Sequence, residues 1–114
     1  MEKMTGYIQV FTTVDSRQSA DAIAASMVAK KLAACVQVTG PVTSTYRWKG
    51  EIETADEWIL IMKTREELYP ELEKNIKEIH SYDTPEILAV PVKAGNSDYL
   101  DWVSGETKLA ITAV

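Results

Sequence analysis

The sequence has few of the residues from which proteins build tight metal and redox centres. Its 114 residues include one cysteine, Cys35, and one histidine, His80. A single cysteine excludes a disulfide within the chain and agrees with a reducing compartment. Gly-rich phosphate loops, CxxC pairs and the HExxH zinc motif are absent. Cys35 also has no His, Ser or Cys near it in the sequence to assist nucleophilic catalysis, so we predict that the protein is not an enzyme.

Positive charge and long apolar runs are also scarce. The chain has 12 Lys and Arg against 17 Asp and Glu, for a net charge of −5. Because nucleic-acid binding depends on clustered Lys and Arg, we expect no nucleic-acid partner. No stretch approaches the roughly 18 apolar residues of a membrane span. The N-terminal "MEKMTGY" lacks the apolar core of a signal peptide, so we expect a cytoplasmic protein with no membrane partner.

The length and the 46% apolar content allow one hydrophobic core, so we expect residues 1–114 to form a single domain. β-branched and aromatic residues predict a first strand over 7–14. A helix with Asp15 or Ser16 as N-cap follows. Its apolar residues recur at helical spacing and predict one buried face, made of Ala20, Ile23, Ala24, Met27, Val28 and Leu32.

An alternating segment and its return strand predict a hairpin in the middle of the chain. The alternation places five residues on one strand face, namely Val36, Val38, Val42, Tyr46 and Trp48. Thr39-Gly40-Pro41 predicts a bulge or bend within this strand. Lys49-Gly50 predicts the hairpin tip, since glycine adopts positive φ readily. The apolar run from Trp58 to Met62 is typical of a central strand.

The last third of the sequence predicts two helices around one strand. Thr64 and Glu67 have capping-box spacing, and the helical face would comprise Leu68, Leu72, Ile76 and Ile79. Pro70 predicts either a kink or a helix that begins near Tyr69. "EILAVPV" predicts a final strand, which Pro91 places at a sheet edge. "NSDYLDWVSGE" predicts a short last helix capped by Asn96 or Ser97.

The predicted element order is βαββαβ followed by a short helix. This order indicates an α+β domain of the ferredoxin-like arrangement, in which two helices cover one face of a four-stranded antiparallel sheet. The strands of that arrangement have the spatial order 4-1-3-2, which agrees with Pro91 lying in an edge strand.

The predicted second strand is too long for a compact monomer. Residues 36–48 would span about 40 Å at about 3.3 Å per residue, against a diameter of roughly 34 Å for a compact domain of this size. The hairpin tip with Tyr46 and Trp48 should therefore overhang the subunit. Because an exposed aromatic edge strand is an aggregation hazard, we expect these two residues to contact another copy in a homo-oligomer.

Four segments resemble, in this order and spacing, the CutA divalent-cation-tolerance family: "KLAACVQV", "STYRWKGEIE", "HSYDTPEI" and "DYLDWV". The resemblance covers about Tyr7 to Val103. It implies a ferredoxin-like subunit, a homotrimer assembled through strand pairing, and a role in tolerance of copper and other divalent metals. It also implies a cleft between subunits, for which Lys63, Tyr82 and Glu86 are the candidate lining residues.

His80 and Cys35 are the candidate metal ligands, because imidazole and thiolate bind copper and zinc. Each also has a structural alternative: His80 as the end of the second helix and Cys35 as a small buried apolar residue. Some family members carry a cysteine where this chain has Thr12 and a second histidine where it has Ile79, and neither replacement is a comparable ligand. We therefore expect no required cofactor, and at most weak binding of Cu²⁺ or another divalent cation.

Three functions remain open on the sequence. The first is a homotrimer that binds or responds to divalent metals. The second is a trimeric signalling module similar to PII proteins, which binds a small anion in its intersubunit clefts. The third is a scaffold that acts through contacts with an unidentified protein partner.

Overall fold

We describe a computed structural model, which defines residues 5–110 of the chain. The elements follow the predicted order: β1 (Tyr7–Val14), α1 (Arg17–Ala29), β2 (Cys35–Trp48), β3 (Glu51–Arg65), α2 (Tyr69–Ile79), β4 (Ile87–Pro91) and α3 (Ser97–Gly105), with a 3₁₀ turn (Glu66–Leu68) before α2. Within residues 5–110, no helix has the length and apolar character needed to cross a membrane.

The four strands form one antiparallel sheet in the order β2-β3-β1-β4, which confirms the predicted 4-1-3-2 arrangement. Alternate residues of the central strands β1 and β3 are buried and face the helices. They pack with α1 and α2 into one core, whose largest side chains are Ile8, Val10, Val14, Ile23, Met27, Leu32, Leu60, Met62, Leu72 and Ile76. Helices α1 and α2 therefore both pack on this face of the sheet, while α3 contacts β3.

The first helix begins as predicted and ends earlier than predicted. Ser16 is the N-cap, and its hydroxyl accepts a hydrogen bond from the Ser19 amide at 3.0 Å. The helix stops at Ala29, and Lys31 takes a left-handed conformation with φ of 59°. This turn carries Leu32 into the core from outside the helix, whereas Val28 lies exposed. Leu32 is therefore buried as predicted but lies outside the helix, and the prediction that Val28 is buried was wrong.

The second helix begins at Tyr69, the later of the two predicted starts, with Pro70 in its first turn. The predicted capping box was wrong because Thr64 still belongs to β3. Its buried hydroxyl donates instead to the carbonyl of Leu32 at 2.6 Å. Ile79 was also wrongly placed on the buried face, since it is exposed at the end of the helix.

The predicted bulge in β2 is confirmed, and it has a consequence that the alternating pattern did not indicate. Thr39 pairs with Ile59 and Val42 with Glu57, so β2 has one extra residue between these pairs. One extra residue reverses which side chains face the helices. Beyond the bulge, Tyr46 pairs with Glu53 and Trp48 with Glu51, on the opposite face from Val36 and Val38. The prediction of one shared face for Val36, Val38, Val42, Tyr46 and Trp48 was therefore wrong.

The β2–β3 hairpin projects from the body of the subunit. Lys49 and Gly50 form its two-residue tip with φ of 50° and 83°. Residues 45–54 are all exposed. The molecule measures 43 × 31 × 29 Å, and its long axis exceeds the roughly 34 Å of a compact domain of this length. Within residues 5–110, residues 45–54 of the hairpin therefore remain exposed to solvent.

Candidate functional site

A large cavity lies between the projecting hairpin and the loop that connects α2 to β4. It has a volume of about 740 Å³, within the usual range for sites that bind small molecules. The hairpin contributes residues from both of its strands, and the loop contributes Ser81 to Thr84 together with Glu86. The bulge positions this wall, because it turns Tyr46 and Trp48 towards the same side of the hairpin as Glu53 and Glu57.

All charged residues that line this cavity are acidic: Glu53, Glu57, Asp83 and Glu86. Glu57 differs from the other three, because only 8% of its surface is exposed. Its Oε2 accepts a hydrogen bond from the Tyr82 hydroxyl at 2.8 Å. Among residues 5–110, no Lys or Arg forms an ion pair with Glu57. The cavity therefore presents uncompensated negative charge.

Tyr82 joins the loop to the hairpin. Burial raises the pKa of its phenol well above the ordinary value, and the hydrogen bond to Glu57 raises it further, with smaller contributions from the charges of Asp15 and Tyr46. The phenol thus stays protonated at neutral pH and remains a donor to Glu57. The contact connects residues 25 positions apart in the sequence.

His80 fixes the start of the loop. It is the C-cap of α2 in an extended conformation, and its Nε2 lies 2.9 Å from the carbonyl oxygen of Thr13 in β1. The Tyr82 amide donates to Nδ1 at 3.0 Å. These contacts require the tautomer with hydrogen on Nε2, so both ring nitrogens are engaged. His80 therefore ends α2, as the structural alternative predicted, and its hydrogen-bond acceptor belongs to β1.

The structure does not bring the two candidate metal ligands together. Cys35 is partly buried at the start of β2 and pairs with Lys63, whereas His80 contacts Thr13, whose partner in β3 is Ile59. Lys63 and Ile59 are separated along β3 by roughly 13 Å, at about 3.3 Å per residue. Over the described range of the chain, no group of three or more His, Cys, Asp and Glu side chains is arranged to hold a metal ion.

Lys63 lies in a second, smaller cavity of about 420 Å³, at the end of the sheet where β1 begins and β3 ends. Its ammonium donates to the side chain of Gln37. The charged residues that line this cavity are Lys63 and Lys93. Tyr82 and Glu86 line the larger cavity instead. A cleft that combines Lys63 with Tyr82 and Glu86 therefore requires two chains.

Glu57 and Glu53 are site residues that the sequence interpretation missed. The strand pattern could have indicated Glu57, because a charged residue directly before the apolar run at Trp58 is unusual in a central strand. No feature of the sequence indicated that Glu57 lies beside Tyr82, because that contact depends on the bulge and on the path of the loop.

The chain is thus a ferredoxin-like α+β subunit with a projecting hairpin and an acidic cavity at its base. The profile of the family described as "CutA1 divalent ion tolerance protein" matches residues 8–106. The chain belongs to this CutA1 family, as the resemblance in the sequence predicted.

Two relatives support the assignment of the chain to the CutA1 family. The chain is 42% identical over 98 residues to the divalent-cation tolerance protein CutA of Thermus thermophilus, covering 86% of this chain and 95% of the relative. It is 41% identical over 101 residues to the chloroplastic protein CutA 1 of rice, covering 89% of this chain. It spans 57% of that longer rice protein.

Solved structures show the same fold. The crystal structure of CutA1 from rice superposes with a TM-score of 0.89 at 39% identity, covering 92% of this chain and 96% of that one. The CutA structure from Archaeoglobus fulgidus, described as periplasmic, gives a TM-score of 0.87 at 38% identity, covering 90% of this chain and 99% of that one. The relatives from Thermus thermophilus and Archaeoglobus fulgidus are named as divalent-cation tolerance proteins.

Proposed function

We propose that this chain is a cytoplasmic homotrimeric divalent-cation-tolerance protein that binds copper and other divalent ions weakly and without catalysis. The observation that carries the proposal is that every charged residue lining the larger cavity is acidic. A concave surface lined by one sign of charge concentrates counter-ions of the opposite sign. Membership of the CutA1 family supports the same class of ion.

Weak binding follows from the arrangement of the ligands. A tight site for copper or zinc requires three or four ligands that converge on one point. The carboxylates of the cavity do not meet this requirement within the described residues. Metal would therefore be held by one or two carboxylates with water completing its coordination, or by side chains from two chains. We expect an affinity in the micromolar range or weaker.

The homotrimer is supported by surface that the single chain leaves uncovered. In the part of the chain that the structure describes, both outer strands of the sheet, β2 and β4, have one unpaired edge. Exposed apolar side chains lie on the hairpin and on β4: Tyr46, Trp48, Ile52, Leu88 and Val90. Unpaired edges with apolar side chains favour strand pairing with another chain. Light scattering at micromolar concentration tests this part, and a monomer mass would contradict it.

Isothermal titration with Cu²⁺ tests the ligand, in a Cys35→Ser background that removes thiol chemistry. We expect His80→Ala to leave the affinity almost unchanged, because both ring nitrogens already have partners. The double variant Glu53→Gln and Glu86→Gln should weaken binding several-fold. Glu78→Gln, an exposed carboxylate on α2 away from the cavity, is the matched control.

Three results of this titration would contradict metal binding by the carboxylates of the cavity. A large loss with His80→Ala would make the imidazole the ligand and contradict the acidic-cavity account. A large loss caused by the Cys35→Ser change itself would make the thiolate the ligand. Equal affinity in the double variant and in Glu78→Gln would remove the cavity from metal binding.

The second candidate is a PII-like module that binds a small anion, and the lysine-lined cavity favours it. Lys63 and Lys93 are its charged residues, in contrast to the acidic cavity. Inorganic phosphate is the probe that tests binding of a small anion. Binding of phosphate that is lost in Lys63→Gln, with no binding of Cu²⁺, would replace the divalent-ion proposal by the anion proposal.

A further inference from the structure

Helix α3 lies outside the hydrophobic core that holds the other two helices. Within residues 5–110, the core cluster takes residues from α1 and α2 and none from α3. Val103 is the one buried residue among the nine residues of α3. A helix of this length is not stable in water without tertiary contacts. The position of α3 therefore depends strongly on how the chain is held at its two ends.

The chain that follows α3 is held by a set of polar contacts, which we call the C-terminal clasp. Its side chains are Arg65, Glu71, Thr107 and Lys108. Arg65 ends β3 and donates from Nε to the Thr107 hydroxyl at 3.0 Å and from Nη2 to the Lys108 carbonyl. The Lys108 amide donates to the carbonyl of Lys31 at 2.9 Å, and its ammonium pairs with Glu71 at 2.7 Å. The clasp thus fixes residues 107–108 to β3, to the turn after α1 and to the first turn of α2.

The Arg65 side chain is the centre of the clasp. It is only 13% exposed, so water screens its contacts less than it screens those of a surface ion pair. Hydrogen bonds from a charged guanidinium are also stronger than those between neutral groups. Most of the strength of the clasp should therefore depend on Arg65.

The segment before α3 can act as a hinge. Residues 92–96, which connect β4 to α3, have no regular secondary structure. The Val92 amide donates to the carbonyl of Tyr7 in β1 at 2.9 Å, and Asn96 is the N-cap of α3. Residues 93–95 connect these two points. Short irregular segments between packed elements are where hinge rotations occur.

Helix α3 forms one wall of the lysine-lined cavity. Leu100 and Val103 line this cavity together with Lys63. A movement of α3 away from the sheet would therefore open it. A cleft that combines Lys63 with Tyr82 and Glu86 requires two chains, and α3 would be a wall of that cleft in the assembly.

We propose that α3 is a cover over the lysine-lined cavity, which opens as a unit about residues 93–95 and which the C-terminal clasp holds closed. Elements with few buried apolar contacts open at a lower free energy than the core does. Release of Arg65 frees residues 107–108, so α3 can move while the sheet, α1 and α2 keep their common core. In an assembly, this movement would admit a small molecule to the cleft without separation of the chains. That last consequence rests on the proposed homotrimer, whereas the opening of α3 does not.

Hydrogen exchange of the full chain, followed by mass spectrometry, tests the opening. We expect the amides of α3 (Ser97–Gly105) to exchange faster than those of β1 and of residues 58–62 in β3. Arg65→Gln should increase the exchange rate of α3 at least about tenfold, since hydrogen bonds from a charged group contribute roughly that factor or more to an equilibrium. The rates in β1 and at residues 58–62 should stay unchanged. Arg17→Gln, which removes the exposed ion pair with Asp21 on α1, is the matched control and should exchange like the wild type.

Acetylation by acetic anhydride tests whether α3 covers the cavity. Arg65→Gln should increase the acetylation rate of Lys63 several-fold, because Lys63 lies in the cavity that α3 lines. Lys74, an exposed residue of α2, provides the reference rate and should react equally in both proteins. A wild-type rate at Lys63 in Arg65→Gln would overturn the proposal.

If Arg65→Gln does not fold, Glu71→Gln and Lys108→Gln test the clasp at less buried positions, and each should increase the exchange rate of α3 several-fold. The proposal is overturned if α3 exchanges as slowly as β1 in the wild type, or if loss of the clasp changes the exchange of α3 no more than that of β1. It is also overturned if exchange of α3 slows as protein concentration rises, because opening would then follow dissociation of the chains. Light scattering on the same samples separates the two proposals, since a monomer mass contradicts the homotrimer while the exchange rates still decide whether α3 opens.

Discussion

The sequence indicates which residues have the chemistry to bind a metal, but it does not indicate the contacts that these residues make with distant parts of the chain. Cys35 and His80 were predicted as candidate ligands because of their chemistry, yet nothing in the sequence placed them relative to each other. His80 contacts Thr13 across 67 positions, and this contact occupies a ring nitrogen that a metal would need. The alternative that His80 ends α2 is the part that local sequence could predict.

Gly40 is a residue at which a single methyl group should be costly. A Cβ at this position would lie 2.7 Å from Cδ1 of Trp58, well inside van der Waals contact. We expect Gly40→Ala to lower the free energy of unfolding by about 1–3 kcal/mol, as overpacking usually does. Gly105→Ala is the control, because its Cβ meets nothing within 4 Å. Urea unfolding at equal protein concentration measures both, and equal stability of the two variants would contradict the expectation.

The phenol of Tyr82 should make stability depend on alkaline pH. Its pKa is raised in the folded protein by burial and by Glu57. The unfolded chain therefore releases this proton first, at a pKa of about 10. The stabilisation is present below that pH and is lost as pH rises towards the folded pKa. Comparison with Tyr82→Phe by urea unfolding should show a stability difference that is constant below about pH 10 and changes above it.

Burial and Glu73 raise the pKa of Tyr69 to about 12. Because Tyr69 is present in both wild type and Tyr82→Phe, its contribution to stability cancels from the comparison. A stability difference between wild type and Tyr82→Phe that stays constant into the alkaline range would show that folding does not raise the pKa of the Tyr82 phenol.

At the scale of helices and strands, the sequence predicts most of this fold because periodicity and turn chemistry are local. Periodic spacing, β-branched content, apolar runs and cap residues together predicted all seven elements, and Lys49-Gly50 predicted the hairpin tip. The errors fall where a tertiary contact competes with a local signal. Thr64 has the spacing of a cap, but its hydroxyl bonds Leu32 from within a strand. The bulge at Gly40 was predicted, but its reversal of the strand faces becomes visible only with the pairing to β3.

The cap of α3 separates two alternatives that the sequence left open. The Asn96 side chain accepts hydrogen bonds from the amides of Asp98 at 2.8 Å and Tyr99 at 3.3 Å. We expect Asn96→Ala to lower the free energy of unfolding by about 1 kcal/mol, the usual value for loss of an N-cap. Ser97→Ala should have a much smaller effect. The denaturation midpoints of the two variants decide between them, and the reverse order would place the cap at Ser97.

At the scale of the whole molecule, the projecting hairpin was predictable because it follows from strand length alone. The acidic cavity was not, since Glu57 meets Tyr82 only after the sheet and the 80–86 loop are in place. Residues predicted for one cleft, Lys63 on one side and Tyr82 and Glu86 on the other, lie in different cavities of the chain. Only an assembly could unite them.

Trp48 should contribute more to assembly than to folding. It is about half exposed near the hairpin tip, outside the core of the subunit. We expect Trp48→Ala to shift the mass measured by light scattering from trimer towards smaller species on dilution, with the circular dichroism spectrum retained. Val28→Ala, which removes an exposed apolar side chain from α1, should keep the wild-type mass. Loss of the folded spectrum in Trp48→Ala without a change in mass would count against this role.

The location of bound copper tests the central claim most directly. Cu²⁺ is paramagnetic and broadens the NMR signals of nearby amides, so substoichiometric addition to the Cys35→Ser protein maps where it binds. If copper binds in the acidic cavity, the NMR signals of the residues whose carboxylates line it should broaden first. These residues are Glu53, Glu57, Asp83 and Glu86. Broadening that begins around Lys63 at the other end of β3, or that is uniform over the molecule, would contradict the acidic cavity as the site of divalent-ion binding.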